Sequence, residues 1–166
     1  MKIIIVSNSA SPSQNASSLQ TARMCDQLVQ LKNDVTLILP NTGFKKNLFN
    51  FYDLKTKFKI IRLKYFKKFP IGIDFYLFAI LSVIKILKLK PDLVITRNFF
   101  ISLILSIIKQ KHVVEVHDTM EIEGRFVRFL QKKINFLNFL SLSKIICTTD
   151  SLKKFYIKEY RVDRKK

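Results

Sequence analysis

The run His112-Val-Val-Glu-Val-His-Asp118 gathers two histidines and two carboxylates on one short apolar segment. Histidine is the side chain most easily poised for proton transfer near neutral pH, which makes His117 the candidate catalytic residue. Asp118 beside it, or Glu115 two residues back on the same strand face, is placed to hold its tautomer or raise its basicity. Asp118 is also a candidate substrate ligand. The competing reading is a satisfied structural histidine. Position argues against it, because His117 ends a strand, and in open parallel sheets ligands bind outside the carboxyl ends of strands. His112, at the other end, falls on the face away from that edge. Glu121 and Glu123 are expected to cap the next helix, where acidic side chains meet the positive end of the dipole.

Arg97 ends the preceding strand, DLVITRN, next to Asn98. Its guanidinium suits bidentate contact with a carboxylate or phosphate, so it is a candidate substrate ligand. A structural ion pair with Glu115 or Asp118 is the alternative. Earlier in the chain, the loop SNSASPSQNASS lies where a phosphate would meet free backbone N–H groups at a helix start. It contains no glycine, so neither a dinucleotide fingerprint nor a P-loop is present, and NAD binding is not expected. Ser9, Ser11, Ser13, Ser17 and Ser18 offer hydroxyls to a phosphate or sugar. Equally, the loop can be a solvated helix cap, with Ser17 or Ser18 as the N-cap.

The elements that must position these groups follow from periodicity. Strands are expected at Lys2 to Ser7, DVTLILP, Lys59 to Lys64, DLVITRN, HVVEVH and KIICTTD. The first helix should end near Lys32, with Leu19, Ala22, Met24, Leu28 and Leu31 near a 3.6 period. Residues 41–57 read as an irregular basic loop. Further helices are expected at Ile73 to Leu89, Phe99 to Lys109, Ile122 to about Leu140 and Ser151 to Tyr160. In the fourth of these five helices Phe126, Phe129, Leu130, Ile134, Leu137 and Leu140 mark an apolar face, and Arg125, Arg128 and Lys132 lie together on another. Strands alternating with helices predict an α/β fold, Rossmann-like and doubly wound, with a mainly parallel sheet and helices on both faces. Residues 1–166 read as one domain, with no linker and no repeat.

Cys25 and Cys147 fit no metal or redox spacing and read as reduced core residues of a cytoplasmic protein. No metal or cofactor is expected. The start of the chain is too short in apolar residues for a signal peptide. The runs FYLFAILSVI and FFISLILSII are each about half the ~20 residues needed to span a bilayer, and both read as buried helices. The net charge of +18 is uneven. Residues 45–90 carry twelve Lys/Arg against two Asp/Glu, and residues 125–166 twelve against three, while residues 91–124 carry three against five. Abundant Lys, Ile, Asn and Phe fit a genome rich in A and T, which inflates lysine without function. The functional reading is contact with anionic lipid or phosphate through Arg125, Arg128 and Lys132.

With these residues placed, the chain resembles the N-terminal half of a GT-B glycosyltransferase, in particular the large retaining family 4. MKIIIVSN, CDQLVQLKNDVTLILP, PDLVITRN, VVEVHD and SKIICTTDSLKKFY are similar, in order, to that family's stretches across nearly all of the chain. The resemblance implies that His117 lies near the acceptor and the transferred sugar. Where the family carries paired glycines near the donor phosphates, Asn15 and Ala16 stand here, a departure from its pattern; Asn15 and, from the serine-rich loop, Ser17 are candidate substrate contacts. It implies further that the sugar nucleotide is bound chiefly by a second domain with an E-x7-E motif, absent from this sequence.

The expectation is therefore the acceptor-side domain of a retaining, hexosyltransferase-like enzyme of cell-envelope polysaccharide synthesis. It would transfer a sugar from a nucleotide sugar to a glycan or lipid-linked acceptor, the chain being a truncated gene product, a fragment, or one subunit of a split enzyme whose C-terminal half is supplied in trans. Its place would be the cytoplasm or the inner face of the membrane. The alternative is a non-catalytic basic module for anionic membrane or nucleic acid. No nucleic-acid motif is present, so nucleic acid is not expected.

Overall fold

Runs of Ile and Val set the strands, and in the computed structural model they are buried on both faces, as parallel strands flanked by helices should be. The structure describes residues 1–43, 46–64, 73–119 and 125–166, Arg125 by its backbone alone. Glu121, Glu123 and the expected helix start at Ile122 lie outside them. The chain packs as two units, Met1–Asp92 and Leu93–Lys166.

In the first unit, β1 (Lys2–Val6), β2 (Asp34–Asn41) and β3 (Lys59–Lys64) run parallel in the order β3-β2-β1. Ile3 to Val6 and Val35 to Leu39 are buried, whereas β3 is half-buried, as an outer strand should be. Helix α1 spans Ala16–Gln30. Its N-cap is Asn15, not Ser17 or Ser18, and the Asn15 carbonyl accepts from the N–H groups of Ser18 and Leu19. The buried face of α1 also differs from the expected one. Leu19 and Leu31 are exposed, while Ser18, Thr21, Ala22, Cys25 and Asp26 face inward. Those polar groups tolerate burial because each is satisfied. Ser18 Oγ donates to the Ala10 carbonyl at 2.7 Å, Thr21 Oγ1 donates to the Ser17 carbonyl at 2.9 Å, and Asp26 accepts from Thr56 N–H and hydroxyl at 2.7 and 2.6 Å. Residues 41–57 are not wholly irregular. A one-turn helix, α2 (Leu48–Phe51), forms there because Asn47 Oδ1 accepts from the N–H groups of Phe49 and Asn50. Helix α3 spans Ile73–Leu89 as expected. It is buried on one side only, through Phe78, Ala79, Ser82, Val83 and Ile86.

In the second unit, β4 (Leu93–Thr96), β5 (His112–Val116) and β6 (Leu142–Cys147) run parallel in the order β4-β5-β6. All five residues of β5 are buried. Burial in β6 alternates, and the Ile145 N–H donates to the Lys166 carbonyl at 2.9 Å, so the end of the chain covers that edge. Helix α4 (Phe99–Ile107) is buried on most sides, and α6 (Asp150–Tyr160) starts at a Thr149 N-cap. Helix α5 (Arg125–Ile134) stops well short of Leu140. Asn135 takes the left-handed conformation at φ 54°, and a 3-10 turn follows at Phe136–Asn138. The apolar face expected there is corrected too. Val127 and Gln131, one turn apart, are buried, whereas Phe126, Phe129, Ile134 and Leu140 are exposed. Cys25 is fully buried and burial pushes its thiol well up, which keeps it protonated. Cys147 is only half-buried, so it is not the core residue expected.

Candidate functional site at the carboxyl ends of β4 and β5

Strand geometry puts Glu115 and His117 on one side of β5, and the adjacent β4 delivers Arg97 one residue past its end. The three side chains form a chain of charge-assisted hydrogen bonds. Arg97 donates through Nε to Glu115 Oε2 at 2.9 Å and through Nη2 to Oε1 at 3.0 Å, a bidentate pair. Glu115 Oε1 also accepts from His117 Nε2 at 2.8 Å. The Glu115 side chain is 8% exposed, Arg97 17% and His117 36%, so the carboxylate is the sunken member and the imidazole the accessible one. An ionised carboxylate can only accept, so the proton of a neutral His117 sits on Nε2. Nδ1 then keeps its lone pair, and it has no hydrogen bond among the described residues. That nitrogen can accept from a ligand hydroxyl or take up a proton.

The two alternatives left open by the sequence are resolved by this geometry. Glu115, not Asp118, holds His117. Arg97 is engaged by Glu115, the ion-pair arrangement, so one of its edges is committed to positioning the carboxylate. Asp118 turns aside. Its Oδ1 accepts from the Thr119 N–H at 2.7 Å, and its carbonyl accepts from the Tyr156 hydroxyl at 3.1 Å. Tyr156 in turn stacks on Phe99 with ring centroids 5.8 Å apart, so α6 and the start of α4 brace the strand end that carries His117. His112 is fully buried at the opposite end of β5, bonded to Ser102 Oγ and the Gln110 carbonyl at 2.9 Å each.

One residue of this edge escaped the sequence reading. Asn98 is 2% exposed and caps α4, its Oδ1 accepting from the Ile101 N–H at 2.9 Å. With the oxygen fixed, the Nδ2 group is fixed too, and it has no hydrogen-bond partner among the described residues. Buried polar groups are nearly always satisfied, so this amide is an exception, and it lies out of reach of solvent. An asparagine between strand and helix signals a cap, and nothing in the sequence shows that its other half is unspent.

The serine-rich loop belongs to the first unit and is bound into its own fold. Tyr52 hydroxyl donates to the Ser13 carbonyl at 2.7 Å, Arg62 donates to the Ser11 carbonyl at 2.8 Å, and Ser9 and Ser17 hydroxyls meet at 3.0 Å. Asn15 is exposed, with no side-chain bond to the helix it caps. On α5 the basic stripe is not as expected. Lys132 is exposed, but Arg128 is half-buried with its Nε inaccessible, and Lys133 takes its place at the surface beside Phe129 at 6.0 Å. The Arg125 side chain lies outside the described residues. No cluster of three or more potential metal ligands occurs among the described residues. No helix among them is long and apolar enough to cross a membrane.

A search of the curated proteins gives no match. Among solved structures, the chain is similar to a glycosyltransferase from Rickettsia africae ESF-5, with a TM-score of 0.57 and 16% identity. The likeness covers 98% of this chain and 40% of that one, and it establishes the fold as α/β and Rossmann-like. The model of Glycosyltransferase Family 4 matches residues 18–166, which include β2 to β6 and every member of the Arg97–Glu115–His117 chain. The protein belongs to Glycosyltransferase Family 4.

Proposed function

We propose that the chain is the acceptor-side part of a retaining glycosyltransferase, which moves a sugar from a nucleotide-sugar donor to a glycan or lipid-linked acceptor. The C1–O bond to the diphosphate breaks as a C1–O bond to the acceptor forms, and the acceptor hydroxyl passes its proton to the departing diphosphate oxygen. The observation that carries this reading is the accessible Nδ1 of His117, left as an acceptor by the Glu115 bond to Nε2. It orients a hydroxyl of the acceptor or of the transferred sugar. Arg97 fixes Glu115. The donor is held chiefly by a second domain, on the same polypeptide or in trans. The chain spans 40% of its structural neighbour, which leaves room for such a domain. Asn15 and Ser17 serve the donor side, and no metal is needed. Residues 1–166 alone are expected to turn over nucleotide sugars weakly or not at all, and a matching C-terminal half should restore transfer. In the restored enzyme His117→Ala should lower the rate roughly 10²–10⁴-fold, the scale of a positioned acid–base or orienting group. A loss below about threefold on that scale, or robust turnover by the chain alone, overturns the assignment.

Helix α5 supports a second element of the proposal, a peripheral seat on anionic membrane at its cytoplasmic face, where a lipid-linked acceptor would be met. Phe126 and Phe129 are 55% and 56% exposed, with Lys132 and Lys133 alongside. Aromatic side chains enter the headgroup boundary while lysines meet anionic lipid, each basic residue contributing about 1 kcal/mol. Sedimentation with anionic vesicles, lost at high salt and weakened by Phe129→Ser with Lys132→Gln and Lys133→Gln, is the expected result. Equal, weak binding to neutral vesicles leaves only the codon-bias account of the lysines.

A further inference from the structure

Helix α3 carries an apolar stripe that its own fold does not cover. Ile73, Ile80, Ile84 and Leu87 are 49%, 45%, 45% and 49% exposed, and half-buried Leu77 lies between the first two. The spacing from Ile73 to Leu87 is 4-3-4-3, which keeps all five residues on one seam. Apolar residues recurring every 3.5 positions form the knobs of a helix pair. A helix needed only by its own domain would bury one face and carry polar residues on the opposite one. Here the buried face of Phe78, Ala79, Val83 and Ile86 is already complete, and the second face is apolar as well.

The charges beside the seam say what covers it. Asp74 sits in the first turn of α3, and Lys85, Lys88 and Lys90 sit at its far end. A parallel partner copy would set lysine against lysine. An antiparallel copy sets Asp74 of each chain near Lys88 of the other, aligns Leu77 with Leu87 and Ile80 with Ile84, and opposes the two helix dipoles favourably. Such a surface is self-complementary about a two-fold axis, the requirement for a closed dimer. We propose that two copies of this chain associate antiparallel through α3, burying the Ile73–Leu87 seam at their interface.

The test is sedimentation equilibrium of the 166-residue chain from micromolar to submillimolar concentration. A monomer–dimer equilibrium is expected. Ile80→Glu with Ile84→Glu should raise the dissociation constant roughly 30-fold or more, as expected when central apolar anchors are removed. Both positions are exposed in the single chain, so its circular dichroism and melting should hold. Lys88→Asp should also weaken the dimer, and Asp74→Lys added to it should recover most of the loss, because the swap rebuilds the antiparallel pair. A chain that stays monomeric throughout the range overturns the proposal. So does a dimer indifferent to the two glutamates, or one that the charge swap fails to rescue.

Discussion

Removing the Glu115 carboxylate should reveal how the site is held. Its side chain is 8% exposed and, among the described residues, accepts two hydrogen bonds from Arg97 and one from His117. In Glu115→Ala the guanidinium, 17% exposed, loses the bidentate carboxylate that offset much of its desolvation. Breaking a buried pair on one side costs about 3–5 kcal/mol. Arg97 keeps some contact with water, so the lower end applies, about 3 kcal/mol. For a chain of this size each kcal/mol lowers the melting temperature by roughly 2–4 °C, which places the variant about 6–12 °C below the parent. Arg97→Ala leaves the carboxylate its bond from His117 and should cost somewhat less. The double variant removes both charges together, so its cost should fall short of the sum of the two by about 2 kcal/mol, within the range found for residues in contact. Urea denaturation of all four proteins measures that coupling. Nitrogen-15 NMR of the imidazole supplies a second readout. The parent should hold neutral His117 in the Nε2–H tautomer, and Glu115→Ala should release it to a mixture. A coupling below about 0.5 kcal/mol, the lower limit for contacting residues, with an unchanged tautomer would refute the account of the site.

Three further outcomes follow from groups outside it. Burial pushes the Asp26 carboxyl up, but hydrogen bonds from Thr56 with Arg23 nearby outweigh this and hold it below its ordinary value, so its contribution is full above the unfolded-state value near 3.8 and is lost as pH falls through the lower folded value. Asp26→Ala, which leaves the Thr56 N–H without its acceptor and its hydroxyl with only the Asp26 carbonyl at 3.3 Å, should cost about 1–3 kcal/mol at neutral pH by urea denaturation, and that difference should shrink in acid. Burial pushes the His112 imidazole below its ordinary 6.5, helped by Lys166 and opposed by the Gln110 carbonyl, so the native state favours the neutral ring; stability measured across pH should fall as pH drops below about 6.5, where the unfolded chain gains the proton first. Lys32 and Lys90, at φ 61° and 48°, occupy left-handed positions after α1 and α3 where glycine is the usual residue, and Lys90→Gly should stabilise by about 0.5–1 kcal/mol in the same assay.

Much of the fold was legible because parallel strands buried on both faces leave continuous Ile/Val runs, and β1, β2 and β5 are such runs. The faces of helices were less so. The inward side of α1 carries Ser18, Thr21 and Asp26, and Asp26 is tolerated there through Thr56, thirty positions away and invisible to a local period. The end of α5 was misplaced because Asn135 can enter the left-handed region where few other residues do, a choice made by the surrounding packing and not by periodicity. His117 and Glu115 were readable as a pair from strand alternation. Choosing Glu115 over Asp118 required knowing that the Asp118 side chain turns back to the Thr119 N–H. Asn98 was read only as a neighbour of Arg97, because a spent oxygen and an unspent amide look alike in sequence.

The electrostatics of the site bear on which half of a sugar-transfer reaction it serves. Residues 91–124 are net acidic by sequence count, with three Lys/Arg against five Asp/Glu, and that alone would repel a diphosphate. Locally, Glu115 is neutralised by the two-point contact of Arg97, and that contact also spends the guanidinium edge a phosphate would otherwise engage. Toward a ligand the described residues leave the acceptor His117 Nδ1. Such an acceptor suits a hydroxyl group, which can donate to it. It offers little to a doubly charged phosphate, which needs cations or several converging N–H groups. On the proposed reading the sugar and acceptor hydroxyls meet this edge, and the charge of the leaving diphosphate is met elsewhere. Converting the edge to phosphate binding would take more than adding a cation. It would require freeing Arg97, and freeing Arg97 by removing Glu115 would release His117 from the tautomer that makes Nδ1 an acceptor. The two tasks compete for the same carboxylate, so one strand end can perform only one of them.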